Sequence, residues 1–197
     1  MKQRIVLASS NEGKLRELRA LLDGVDFEVV GQAELGIEAA EEPHATFLEN
    51  ALAKARHAAG RSGLPALADD SGLCVEALRG APGVRSARFA GEGAGDAANN
   101  AELLRQLAQQ ADRRAHYTCV LVAVRAVDDP EPLVAEARWH GEVLPAPRGG
   151  GGFGYDPLFF VPELGRTAAE LPAAEKNRIS HRGLALHTLR QRLADWR

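Results

Sequence analysis

Apolar positions follow two rhythms along the chain. Short apolar runs at Arg4 to Ala8 and Phe27 to Val30 predict strands, the first closed by Ser9, Ser10 and Asn11. Between them Leu15, Leu18, Leu21 and Leu22 form one helical stripe. Gly36 to His44 is polar and acidic and reads as a loop. Thr46, with Glu49 three residues later, has the pattern of a capping box. It opens a helix whose apolar positions are Phe47, Ala51, Leu52, Ala55, Ala58 and Ala59.

Pro65 to Ala68 predicts a short strand running into the turn-forming residues Asp69-Asp70-Ser71-Gly72. Gly80 to Gly95 reads as a long loop, and Asp96 as the cap of a helix burying Leu103, Leu104 and Leu107. Tyr117 to Val127 is apolar on both faces near its middle, which predicts a central strand. After the turn at Asp128 to Pro132, Leu133 to His140 alternates like the return strand of a hairpin. Arg148 to Asp156 is a glycine-dominated loop, and a last helix is expected from about Ser180 to Trp196. Helices and strands mix throughout, with no internal repeat. The class is therefore α/β with a mixed sheet, not a purely parallel one.

Composition narrows the function more than the fold. At 197 residues the chain suits one compact domain over 1–197 and buries roughly 70% of its unfolded surface without disulfides or a structural metal. A formal charge of −3 gives no global basic field, so a nucleic acid polymer is not an expected partner, whereas a small anion needs only a local basic site. Cys74 and Cys119 stand singly, against a disulfide framework or zinc cluster and in favour of a reducing compartment. The first residues read as a strand rather than a signal peptide, and no window nears the ~18 apolar residues of a membrane-spanning helix. A soluble, cytoplasmic protein is expected.

Four segments carry candidate chemistry. Ser9-Ser10-Asn11-Glu12-Gly13-Lys14 joins a strand to a helix N-terminus, which offers free backbone N–H groups and a positive dipole end to phosphate. Lys14 in the first turn opposes that dipole, a penalty that bound phosphate reverses; the alternative is a solvated Lys paired with Glu12 or Glu17. Glu41-Glu42 and Asp69-Asp70 supply hard carboxylate oxygens suited to Mg²⁺, with a turn or an acidic loop as the plainer reading. Asn50, Lys54, His57 and Arg61 share one flank of the helix after Thr46; the flank is either part of a cleft wall or a solvated face.

The fourth segment is double. Gly149 to Gly152 free the backbone for close approach to a ligand, and Phe153 and Tyr155 could stack on a base, with Gly154 and Asp156 beside them. Lys176, Arg178, His181 and Arg182 gather just before or within the first turn of the last helix, again at the wrong end of a dipole for cations. Pairing with Glu175 is the alternative. No Ser–His–Asp arrangement stands out.

Six stretches together resemble the Ham1/RdgB family of inosine triphosphate pyrophosphatases. They are the loop Ser9 to Lys14, T-F-L-E-N-A at Thr46 to Ala51, and L-A-D-D-S-G-L at Leu67 to Leu73. G-A-P-G-V-R-S-A-R at Gly80 to Arg88, G-G-F-G-Y-D-P at Gly151 to Pro157 and E-K-N-R-I-S-H-R-G at Glu175 to Gly183 complete the set. The resemblance implies a two-lobed fold with an elongated mixed sheet and a central cleft, usually a homodimer. It implies Mg²⁺-dependent hydrolysis of ITP, dITP and XTP to the monophosphate and pyrophosphate, cleansing the nucleotide pool.

By position, the resemblance makes Asp70 the general base, and Glu42 with Asp70 the metal ligands, Glu41 being the neighbour. Ser9 to Lys14, Lys54 and Ser71 match the triphosphate side, with Asp69 joining Asp70, Lys14 and Lys54 in the catalytic group. Phe153, Gly154, Tyr155, Asp156, Lys176, His181 and Arg182 match the residues that hold the purine. His181 or Arg182 donating to a 6-oxo group would disfavour ATP. A Maf-like pyrophosphatase and a non-catalytic nucleotide-binding regulator are the competing readings.

Overall fold

The computed structural model describes residues 3–23, 27–193 and 196. In chain order the elements are β1 (Gln3–Ala8), α1 (Glu12–Leu21), β2 (Phe27–Gly31), α2 (Phe47–Ser62), β3 (Ala66–Val75) and α3 (Asp96–Gln106). They continue with β4 (Arg114–Val124), β5 (Leu133–Val143), β6 (Phe159–Val161), β7 (Arg166–Thr167), α4 (Ala173–Ile179) and α5 (His181–Leu193). The strands form one sheet in the order β2-β1-β3-β4-β5-β6-β7. Strand β1 pairs in parallel with β2 (Ile5 opposite Val29) and with β3 (Leu7 opposite Leu67). β6 pairs antiparallel with both β5 and β7, so the expected mixed sheet is present.

The chain divides into two compact units. The first runs up to Asp70, takes Cys119–Ala137 and resumes at Arg182; the second comprises Ser71–Thr118 and Arg138–His181.

In the first unit the pleat sorts side chains by parity. Ile5, Leu7, Leu67, Cys119, Leu121 and Ala123 face Leu18 and Leu22 near α1 and Leu186 and Leu189 on α5. Val6, Ala8, Ala66, Ala68, Val120, Val122 and Val124 face the alanines Ala51, Ala55, Ala58 and Ala59 of α2. Methyl groups on both sides let α2 lie close to the sheet. Thr46 caps α2, its Oγ1 accepting the Glu49 N–H at 3.2 Å, while the Glu49 carboxylate accepts the Thr46 hydroxyl at 2.6 Å in place of the backbone N–H that a full capping box would use.

The second unit has its own core, in which Tyr117, Trp139, Tyr155, Leu158 and Phe159 pack with Leu73, Leu103 and Leu107. Gly72 is needed there, because a Cβ would run into the Gly83 carbonyl and the Ser86 hydroxyl.

Several expectations are corrected. Asp69 to Gly72 is no turn: β3 runs straight through it to Val75, since burial and pairing override the turn-forming residues. The Gly80 to Gly95 stretch contains a 3-10 turn at Gly83–Arg88. The central strand spans Arg114–Val124 instead of Tyr117 to Val127, and the return strand continues to Val143. Gly95, not Asp96, occupies the cap position of α3. A short helix, α4, precedes the last one, which begins at His181; its expected extension to Trp196 crosses residues 194 and 195, which lie outside the described residues.

Candidate functional site

Parity along β3 also sorts the two acidic residues of the first unit. Asp69 shares a face with Leu67 and so meets α1 and α5, whereas Asp70 shares a face with Ala66 and Ala68 and so meets α2. Adjacent in sequence, the carboxylates point to opposite sides of the sheet. Asp69 pairs with Lys14 and Arg182, and Asp70 with Lys54.

Asp69 has a fully buried side chain. Its Oδ1 lies 2.6 Å from the Lys14 ammonium, and its Oδ2 accepts Arg182 Nε at 2.9 Å and the Cys119 thiol at 3.2 Å. Arg182, 1% exposed, also donates through Nη1 to Glu17 at 2.5 Å. Burial alone would push the Asp69 carboxyl up, but the Arg182 and Lys14 charges outweigh it and hold the group well below the usual carboxylate range. The same burial, with the Asp69 charge beside it, pushes the Cys119 thiol well up, so that it serves as a neutral donor.

Asp70 lies in a different balance. Lys54 Nζ sits 2.8 Å from Asp70 Oδ1 and 2.8 Å from Glu42 Oε1, and Asn50 Nδ2 donates to Asp70 Oδ2 at 3.3 Å. Burial raises the Asp70 carboxyl; Lys14 and Lys54 pull it down, Glu42 pushes it up, and the net shift is upward. Lys54 moves up as well, because Asp70 and Glu42 outweigh the burial that lowers it. A carboxylate with a raised affinity for protons, held in place by an ammonium, is suited to accepting a proton.

Two residues outside the expected set support this group. Asn50 donates to the His44 carbonyl at 3.2 Å while its Oδ1 accepts the His44 N–H at 3.1 Å, which fixes the acidic loop carrying Glu42. Glu17 anchors Arg182. Asn50 was visible in the sequence as part of the polar flank of α2, but nothing there told Glu17 from any helical glutamate. His57 holds the same loop through the Glu38 carbonyl at 3.0 Å, and Arg61 is exposed.

The first loop is placed as expected at the start of α1, where Asn11 caps the helix by accepting the Lys14 N–H at 2.9 Å. Ser9 is buried with its Oγ accepting the Asn11 N–H at 3.2 Å; Ser10, Asn11 and Glu12 are exposed and Gly13 is half-buried. Lys14 pairs with Asp69 instead of Glu12 or Glu17. Glu42 reaches Lys54, whereas Glu41 is exposed. Among the described residues no three His, Cys, Asp or Glu side chains group to enclose a metal. Glu42 and Asp70 converge on one ammonium, and two carboxylate oxygens completed by phosphate oxygens match the manner in which Mg²⁺ is held.

In the second unit Asp156 organises the glycine-rich loop. It is 2% exposed, accepts the Phe153 N–H at 2.9 Å and lies 2.5 Å from the Lys176 ammonium, with the Tyr117 hydroxyl at 3.5 Å. Gly152 has φ +72°, and a Cβ there would collide with the Asp156 carboxylate. The Lys176 ammonium stands 4.9 Å from the centroid of the half-buried Phe153 ring. His181 lies against Tyr117, ring centroids 4.6 Å apart and planes within 8°.

Tyr155 is placed differently from a stacking platform. It is 3% exposed, belongs to the core, and donates its hydroxyl to the Ser86 carbonyl at 2.8 Å. Of the two aromatic rings expected to stack, Phe153 alone is half-exposed. The basic cluster Lys176 to Arg182 is also split. Lys176 and Arg178 lie in the last turn of α4, the favourable end of its dipole, so only His181 and Arg182 begin a helix. Ser71, half-buried, opens the second unit.

The model of the Ham1 family matches residues 5–192. The dITP/XTP pyrophosphatase of Burkholderia pseudomallei is 63% identical, covering 100% of this chain and 96% of its own. That of Ralstonia nicotianae is 64% identical, covering 97% and 96%. Among solved structures, a HAM1 protein from Coxiella burnetii superposes with a TM-score of 0.91 at 49% identity, covering 98% of this chain and 99% of its own. The Staphylococcus aureus Ham1 protein gives 0.87 at 40% identity, covering 99% and 100%.

Proposed function

This chain belongs to the Ham1 family, and we propose from that membership and from the paired lysines and carboxylates that it is a dITP/XTP pyrophosphatase. It hydrolyses dITP, XTP and ITP to the nucleoside monophosphate and pyrophosphate and so clears them from the nucleotide pool. The observation that carries the chemistry is Lys54 Nζ held at 2.8 Å from both Asp70 and Glu42.

Water attacks the α-phosphorus in line; the bond to the bridging oxygen breaks and pyrophosphate leaves. Asp70, whose affinity for protons burial has raised, accepts the proton that the water loses. Lys14 and Lys54 counter the negative charge that builds on the phosphates, and the start of α1 with Ser9 to Gly13 cradles them. Glu42 and Asp70, with Glu41 beside them, would hold Mg²⁺ together with phosphate oxygens, and the ion supplies charge neutralisation on the polyphosphate.

In the second unit Phe153, Gly154, Asp156 and Lys176 receive the purine, with Tyr155 holding the turn from the core. His181 supplies the donor to the 6-oxo group, where adenine presents its own amino donor and leaves a mismatch. Arg182, bonded to Asp69 and Glu17, is assigned to keeping the Lys14 carboxylate partner in place.

The whole chain acts as one functional domain and works as a homodimer in the cytoplasm. Cys74 and Cys119 are both free, and no helix among the described residues is long and apolar enough to cross a membrane.

Pyrophosphate release with ITP, XTP, dITP and the four common dNTPs, with and without Mg²⁺, tests the reading. We expect turnover of the first three, little of dATP, and none without a divalent cation. Equal turnover of dATP and dITP would sink the base assignment.

A further inference from the structure

The sequence pattern marks Asp96 as a helix cap, yet the cap position belongs to Gly95 and the Asp96 carboxylate is turned elsewhere. Its Oδ2 accepts the Gly154 N–H at 2.6 Å. One turn along the same helix, Asn100 Nδ2 donates to the Gly154 carbonyl at 2.9 Å, and the same nitrogen donates to the Asp96 carbonyl, also at 2.9 Å. Both peptide groups flanking Gly154 are thus held by one face of α3. The residue between them has φ +62°, with nothing within 4 Å of where a Cβ would stand, so the clasp holds a left-handed backbone and not a packed side chain.

The surroundings brace the same helix end. Asn99 is 3% exposed; its Oδ1 accepts the Ala90 N–H at 2.9 Å and its Nδ2 donates to the Ala87 carbonyl at 3.1 Å. The 3-10 turn ending at Arg88 is therefore fastened to α3, and that turn presents the Ser86 carbonyl that receives the Tyr155 hydroxyl. Phe153 and Tyr155, on either side of Gly154, inherit their orientation from these bonds. A helix cap needs none of this.

We propose that Asp96 and Asn100 are positioning residues that preset the Phe153–Tyr155 turn for the purine, and so set affinity for the base without taking part in hydrolysis. This rests on the reading that the Phe153 turn receives the base. Losing a charge-assisted bond to one peptide group lets the turn sample other conformations, and substrate must then select the competent one.

The test is steady-state kinetics with dITP and XTP. Asp96→Ala is expected to raise KM ~10-fold with kcat nearly unchanged, the split expected when binding alone is lost. Asp96→Asn keeps an acceptor oxygen for the Gly154 N–H and should restore most of the affinity. Asn100→Asp turns an acceptor toward the Gly154 carbonyl and carries the test independently if Asp96→Ala folds poorly; it too should raise KM and spare kcat. Phe153→Ala separates the two ideas. If it leaves KM unmoved, the purine assignment fails and this inference with it. If Phe153→Ala raises KM while Asp96→Ala and Asn100→Asp do not, or if both lower kcat as much as they raise KM and Asn fails to rescue, the clasp is overturned and the purine assignment stands.

Discussion

Two neighbouring aspartates with opposite duties are the sharpest lesson at the scale of single residues. Asp69 is a fully buried anion whose partners more than offset its burial, so its ionised form supports the fold; Asp70 is a carboxylate whose ionised form burial disfavours. Asp69→Asn should therefore cost about 3 kcal/mol of stability, because it leaves Arg182 buried against a weakened partner, read as a fall in thermal midpoint. Asp70→Asn should cost less stability, because Lys54 keeps Glu42 as a partner at 2.8 Å, keep nucleotide binding, and lower kcat roughly 10³-fold. If the two variants behaved alike in both assays, the division would be wrong. The signs follow from linkage. Asp69's depressed value contributes stability that is present above its ordinary 3.8 and is lost as pH falls through the depressed value; Asp70's raised value works the other way. The pair itself was legible in the sequence as a candidate site. The resemblance pointed to Asp70 as the base, but the residues themselves did not tell the two apart, because that depends on strand parity and the local residues argue for a turn.

Secondary elements were readable where a repeating pattern was long, and obscure where contacts from afar decided the outcome. The stripe and cap of α2 announced themselves, whereas α4 did not: seven residues with Pro172 at its cap are too few for periodicity to speak. Losing α4 made Lys176 look like a cation at the wrong end of a helix, when it sits at the right end and bonds Asp156. The alanine face of α2 gives a direct test of why Lys54 reaches Asp70. Ala58 is fully buried in the alanine-lined cluster beside Ala66 and Ala68. Ala58→Leu should push the helix outward, costing about 1–3 kcal/mol in denaturant unfolding. Because Lys54 rides on the same helix one turn away, kcat should fall as well; a destabilised protein of undiminished kcat would show that the lysine's reach does not depend on that packing.

At the scale of the molecule, the boundaries between the two compact units fall inside strands. The chain passes from one to the other within β3 at Asp70–Ser71, within β4 at Thr118–Cys119 and within β5 at Ala137–Arg138. A unit that unfolded alone would fray three strands that also belong to its neighbour, so the separate cores should not mean separate stabilities. Each unit has a single tryptophan, Trp139 in the second and Trp196 in the first, both buried. That makes the claim measurable. Trp196→Phe leaves fluorescence reporting on the second unit and Trp139→Phe leaves it reporting on the first; each variant also carries far-ultraviolet circular dichroism as a global signal. In each variant the fluorescence and dichroism transitions should coincide, as a single cooperative step requires. A fluorescence midpoint that departs from the dichroism midpoint in either variant would mean that the shared strands can melt on one side only, leaving the two units to fold independently.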